Sequence, residues 1–405
     1  MPAINDRAFM MKSAFVLFCL FFATLTFGQT ESDYYRASKD TTLSSKFLGE
    51  KRNISIILPK SFSRAKATKF PLVVVFDRQN KRIFRQTFEA INYLVSFDEM
   101  PEAVVIGIST ENNQKRFLET SLQASNDKAT GENLIRFLYE ELIPWAEAEL
   151  NCGSNRIFIG HSRFGYFSSY LLANKLNDLT GVISLSPFFV QPNVNVVDSL
   201  KSRLLTAKLS HTVYYRFITG DSTTDTKEYT LMNSFLTKAK PVKNFDWKGV
   251  AFYNAKHMAV PGLGVMPSLL EIFDYWSDEM NKVLQSEQPF TSDVYDGFRQ
   301  KMKNHYGDGI GLGLAVLNGI GYKFYNVQKF RDARTAWLLL LQDYPLFTDA
   351  YINIANSYSK EGNKTAAIDF YEKAKQELSY NGFYGKEQRQ EMLADIEAKL
   401  KVLRN

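Results

Sequence analysis

The ten residues Arg156–Gly165, RIFIGHSRFG, carry the reading of this chain. A short apolar strand, Arg156 to Ile159, runs directly into Gly160, His161, Ser162 and Arg163, and a helical pattern follows. A serine on so tight a strand-to-helix turn holds its hydroxyl above the sheet, and the N–H of the next residue opens the helix where an oxyanion would form. Ser162 is therefore the expected nucleophile, and Arg163 the expected backbone donor. A serine that merely begins a helix is the plainer alternative. The pattern is also imperfect, because Phe164 stands where Gly-x-Ser-x-Gly ends and glycine comes only at Gly165. Phe164 must point into space that the fold provides or distort the turn.

Outward from this turn, the first 260 residues hold seven short β-branched or aromatic runs: 54–58, 72–76, 103–108, 156–159, 181–185, 212–218 and 250–253. Several are apolar without alternation, as strands buried on both faces of a parallel sheet should be. Helical patterns lie between them; in 132–150, Leu134, Leu138, Leu142 and Trp145 share one face. Strands alternating with helices predict an α/β fold with a mostly parallel sheet.

A serine nucleophile needs a base and an acid. The chain has four histidines. His257 is the best placed, in the loop three residues past the last strand. His161 sits on the turn itself with its ring expected to point away, His211 opens a strand, and His305 lies well beyond. The acid should follow the preceding strand, where Asp221 and Asp225 are equal candidates and Glu228 an outside choice.

Past residue 285 the pattern becomes wholly helical. The segment 286–308 reads as a linker and 309–405 as a small helical domain. Tyr351, Ile354, Ala355, Tyr358, Ala367, Tyr371 and Ala374 are preceded, 34 positions earlier, by Leu317, Ile320, Gly321, Phe324, Ala333, Trp337 and Leu340. That is the period of a tetratricopeptide-like repeat. A helix from about Glu387 to Leu403, with Leu393, Ile396, Leu400 and Leu403 on one face, would cap the stack. The repeat either packs on the α/β domain, shaping the pocket entrance or a dimer contact, or recruits a protein partner.

Apolar residues make up 45% of the 405 and charged residues 23%, which describes a globular chain. The net charge of +6 comes from scattered Lys and Arg without a block of like charge, so a nucleic-acid partner is not expected. Lys12 and the apolar run Ala14 to Phe27 have the order of a signal peptide, taken as residues 1–28; the run is short for a bilayer span. Export to a periplasmic, cell-surface or secreted location is expected, with no membrane span in the mature chain and residues 29–285 as the α/β domain. Once the signal and its Cys19 are gone, Cys152 stands alone, which excludes an internal disulfide and a cysteine-based metal site.

Several ordered blocks, PLVVVFD (71–77), VVIGI (104–108) followed by Asn113, Arg116 and Glu119, FLYEELIP (137–144), IFIGHSRFG (157–165) and GVISLSP (181–187), resemble the esterase family of α/β-hydrolases that includes esterase D, siderophore esterases and feruloyl esterases. The resemblance covers roughly residues 48–280. It implies a serine esterase acting on a small-molecule ester without metal or organic cofactor. Ser162 would be the nucleophile, His257 the base, Asp225 or Asp221 the acid, and the N–H groups of Arg163 and Arg78 the oxyanion hole. His161, Arg116 and Phe164 would line the substrate pocket. Relatives usually carry glycine at the positions of Arg78 and Phe164. That departure favours two further ideas: positive charge from Arg78 and Arg163 near an acidic ligand group, or a non-catalytic scaffold on a retired hydrolase fold.

Overall fold

The structure, a computed structural model, describes residues 34–380 and 382–405. The expected signal peptide lies outside the described residues. Eight strands form one sheet in the order β1-β2-β4-β3-β5-β6-β9-β10. They are β1 (Lys39–Ser45), β2 (Glu50–Ile57), β3 (Phe70–Phe76), β4 (Val104–Ile108), β5 (Cys152–His161), β6 (Gly181–Leu185), β9 (Val213–Thr219) and β10 (Phe245–Ala251), with β7 (Val190–Gln191) and β8 (Val194–Asn195) as a separate small pair. From β4 to β10 every neighbouring pair is parallel; β2 joins β4, and β1 joins β2, antiparallel. This is the mostly parallel α/β-hydrolase sheet.

The central strands are apolar on both sides because both faces are covered. Val73, Val75, Ile157 and Ile159 face a core shared with α1 (Lys81–Ser96) and with α8 (Val260–Gln285). Leu72, Val74, Phe76 and Phe158 face the opposite core, shared with the run α3 (Gly131–Phe137), a π turn at Leu138–Leu142 and α4 (Ile143–Glu149), and with α5 (Arg163–Asn174) and α6 (Val196–Thr206). The two edge strands are the ones hydrophobicity misjudged. β1 is polar and mostly exposed, and was not expected; β10 alternates Phe245, Trp247 with Asp246, Lys248, so its first half was missed.

The C-terminal region is all-helical: α9 (Ser292–Tyr306), α10 (Leu314–Asn326), α11 (Phe330–Asp343), α12 (Thr348–Lys360), α13 (Lys364–Tyr380) and α14 (Lys386–Arg404). The stretch read as a linker thus contains a helix, with Tyr295, Phe298, Met302 and Tyr306 buried. α10 and α12 both begin 34 residues apart, at 314 and 348, as do α11 and α13, at 330 and 364. Gly321 and Ala333 are the close-approach points: a Cβ on Gly321 would sit 2.3 Å from Trp337 Nε1, and Ala333 is fully buried.

These helices meet the sheet at the N-terminal ends of its parallel strands. Thr180 Oγ1 donates to Tyr306 O at 3.0 Å, Thr212 N to His305 O at 2.8 Å, Thr68 N to Asp343 Oδ1 at 3.1 Å and Asp308 N to Ser154 Oγ at 2.8 Å. Trp276 of α8 donates through Nε1 to Gly311 O at 2.9 Å. The helical region therefore packs on the α/β domain but does not shape the pocket entrance, since the strands' C-terminal ends, where the site lies, are on the opposite edge.

Candidate active site

β5 ends at His161, and Ser162 turns the chain with φ 59° and ψ −116°, a region that non-glycine residues occupy only when their surroundings hold them there. Two glycines make the bend possible. A Cβ at Gly160 would lie 2.2 Å from the Phe164 carbonyl oxygen, and one at Gly165 would lie 3.1 Å from the Leu185 carbonyl oxygen. The close contact with β6 therefore falls on Gly165, one residue later than the usual pattern. Phe164 is freed from that contact and points into the core, stacked on Phe76 at 4.8 Å and edge-on to Phe167. It does not line the cleft, which corrects its expected place in the substrate pocket. Phe164→Ala is expected to destabilise the fold by about 3–5 kcal/mol, read by urea unfolding, as loss of a buried aromatic does.

Ser162 and His257 line one cleft of about 1090 Å³, together with Asp77, Gln79, Arg116 and His161. His257 is half-exposed, its side chain 40% accessible, and Asp225 lies behind it with only 3% accessible. Asp225 Oδ1 is 3.4 Å from His257 Nδ1. Its Oδ2 is buried and has no hydrogen-bond partner among the described residues. Asp221 does different work. It accepts from Asn254 N at 2.7 Å and from Lys256 Nζ at 2.9 Å, bracing the loop that carries His257, and these two donors hold its carboxyl below the usual range. Gly220 allows the loop to close, since a Cβ there would meet the Ala255 carbonyl oxygen at 2.2 Å. Glu228 is turned to Phe189 N, and burial raises its pKa.

His161 points toward the cleft after all, against the expectation for its ring. Its Nε2 lies 3.1 Å from the His257 carbonyl oxygen, so Nε2–H donates there, and Ser186 Oγ approaches the same oxygen at 3.4 Å. Burial, the largest influence, depresses the His161 pKa to about 4, which keeps the ring neutral and its single proton on that bond near pH 7. The remaining histidines are spent elsewhere: His211 Nε2 on Leu179 O and His305 Nε2 on Tyr214 Oη.

Arg116 clamps Asp77 through Nε (2.8 and 2.9 Å) and Nη2 (2.6 Å), and Nη2 also donates to His161 O at 3.2 Å. It ties the end of β3 to the end of β5, holding Asp77 at φ 61°. Although it lines the cleft, most of its donors are already committed. Arg78 departs further from expectation. Its N–H donates to Ile108 O at 3.0 Å, and its guanidinium pairs with Asp40 and Ser55. Neither the N–H nor the charge is available to the cleft. The residue missed in sequence is Gln79, whose side chain bonds Asp77 Oδ1 and Thr110 N at 2.9 Å each, and whose N–H has no partner among the described residues. The only available signal was its place two residues past PLVVVFD.

Among solved structures, the chain is similar to an uncharacterised protein of Capnocytophaga ochracea (17% identity, TM-score 0.57, covering 89% of this chain and 100% of that one). It is also similar to an IroE-like serine hydrolase of Shewanella oneidensis (15%, TM-score 0.58, 75% and 99%) and to the BES protein of Bacillus cereus (19%, TM-score 0.51, 58% and 94%). At these identities the likeness concerns the fold. No curated protein matches the sequence significantly. The family model described as "Putative esterase" matches residues 45–249, just over half of the chain and including Ser162 and Asp225. The chain therefore belongs to that esterase family and is an ester-hydrolysing enzyme.

Proposed function

We propose that the protein is a serine esterase working through an acyl-enzyme, with Ser162 as nucleophile, His257 as general base and Asp225 as the acid. The observation that carries the reading is the strained Ser162 sharing a cleft with a half-exposed His257 that is backed by a buried carboxylate. Ser162 Oγ attacks the ester carbonyl carbon as His257 takes its proton; the alcohol departs with that proton, and a water activated by His257 then releases the acid. Asp225 holds the imidazole in the Nδ1–H tautomer and stabilises its cation. The N–H groups of Arg163 and Gln79 receive the oxyanion, Gln79 replacing Arg78 in this role.

A fluorophosphonate probe is expected to label the folded protein on the peptide carrying Ser162, as read by mass spectrometry; no labelling of folded protein sinks the reading. Asp225→Asn is expected to lower kcat about 10³–10⁴-fold by releasing the tautomer. Asp221→Asn, which only loosens a solvent-exposed brace, should cost less than about tenfold. Equal losses in p-nitrophenyl ester assays would reopen the choice of acid.

Two further parts of the reading concern the ends of the chain. We infer export directed by residues 1–28, testable by N-terminal sequencing of protein recovered outside the cytoplasm. The helical region is assigned tetratricopeptide character on its 34-residue helix offset and the Gly321–Trp337 contact. Its role is to cover the lower edge of the sheet rather than to recruit a partner.

A further inference from the structure

Beside the cleft lies a second hollow of about 600 Å³, walled by Phe117, Ser121, Phe188, Gln191 and the side chain of Arg163. Both hollows border the same stretch, α2 (Asn113–Glu119) and the turn after it. Asn113 and Arg116 line the cleft with Ser162, while Phe117 and Ser121 line the second space. Arg163 follows Ser162 directly. Its N–H opens the helix at the reacting serine, and its side chain leaves the same bend into the neighbouring hollow.

Among the described residues, the groups that hold the guanidinium are all neutral. Its Cζ lies 4.3 Å from the ring centre of Phe117 and 5.6 Å from that of Phe188. Nε donates to Thr120 Oγ1 at 2.8 Å, and Nη2 to Ser121 Oγ at 3.0 Å and Phe117 O at 3.3 Å. Among the described residues no carboxylate lies within ion-pair distance of it, and Nη1 has no hydrogen-bond partner; Asp127, on the rim of the hollow, is exposed and unpaired with it. Arg78, by contrast, is satisfied by Asp40. A half-buried guanidinium without a counter-charge has lost hydration that a bound anion would replace. Burial and the nearby Arg116 charge both weigh against its protonated form, in keeping with that imbalance.

We propose that this hollow is a subsite for an ionised carboxylate carried by the ester substrate, with Arg163 as its recognition residue. The inference rests on the serine-esterase reading above. The planar guanidinium fork matches a carboxylate, the Phe117 and Phe188 rings accept the apolar atoms that join it to the ester, and the short path from the Arg163 N–H to its own side chain sets that spacing. The chemistry fits an acid ester, in which the carboxylate sits on the acyl arm or on the alcohol arm.

The test compares kcat/KM for ester pairs that differ mainly in charge. The acyl pair is 4-nitrophenyl hydrogen adipate with 4-nitrophenyl hexanoate; the alcohol pair is the acetate of 4-hydroxyphenylacetate with the acetate of 4-ethylphenol. Wild type is expected to favour the charged member of one pair, and which pair identifies the arm. Arg163→Gln is expected to lower that charged-to-neutral ratio at least about tenfold, the size of a lost charge-assisted hydrogen bond. Arg163→Lys, which keeps the charge and most of the packing but not the fork, should retain a smaller preference. The ratio is the readout because the N–H of the same residue belongs to the reacting site. Wild type that hydrolyses neutral esters but shows no charged preference, or keeps its preference unchanged in Arg163→Gln, overturns the subsite and leaves the esterase reading intact. Folded wild type that hydrolyses no member of either pair and takes no fluorophosphonate overturns the esterase reading first.

Discussion

Ser162→Ala is expected to lower kcat by about 10⁴–10⁶-fold toward p-nitrophenyl esters while leaving the fold in place. The size follows from the proposed mechanism, in which no acyl-enzyme forms without the hydroxyl and only binding and oxyanion stabilisation remain. Stability should barely change, because Ser162 Oγ has no hydrogen-bond partner among the described residues and alanine keeps the same strained backbone. Ser162→Gly separates strain from chemistry. It is equally inactive but relieves φ 59°, and should raise the thermal midpoint by an amount equivalent to about 1 kcal/mol. Retention of more than a tenth of wild-type kcat in Ser162→Ala would point to another nucleophile. A Ser162→Gly variant no more stable than the alanine would show that the bend is not strained.

Removing residues 289–405 is expected to abolish cooperative folding, not to release a working hydrolase. One core runs without interruption from Val73, Ile157 and Ile183 of the sheet, through Ile272, Phe273 and Trp276 of α8, to Tyr306, Leu317 and Trp337 of the helical region. Truncation exposes Trp276, Tyr214 and Ile272, each buried in the whole protein, and strips the hydrogen bonds at Thr68, Thr180 and Thr212. At roughly 25 cal/mol per Å² of apolar surface, uncovering three large side chains alone costs several kcal/mol, comparable to the stability of a typical domain. The truncated chain should aggregate or unfold without a sharp transition in calorimetry and sedimentation. A soluble monomer with full activity and an unchanged thermal midpoint would mean that the helices are an independent module.

These two expectations draw on different parts of the sequence. The bend was legible because its determinants are local: Gly160, Ser162 and Gly165 fall within six residues, and the strand and helix around them have contrasting periodicities. The 34-residue offset of the C-terminal helices was legible for the same reason, as spacing along one chain. What failed were inferences about direction. Phe164 was expected to line the substrate pocket beside Ser162, and only the packing of Phe76 and Phe167 decides that its ring enters the core. Arg78 looked available to an oxyanion, but its N–H is taken by Ile108, on a strand that starts 26 residues later.

By itself the sequence determined the α/β alternation, the sharp turn at Ser162, the helical end of the chain and the short list of histidines and aspartates that can work with a serine. Tertiary structure alone decided that Asp225 rather than Asp221 faces His257, that the helices cover the edge of the sheet away from the cleft, and that Arg163 has no counter-charge among the described residues. The division has a physical cause. Backbone conformation follows from neighbours within a few residues, whereas the partner of a carboxylate or guanidinium is chosen by strand order and register, which bring together groups tens to hundreds of positions apart.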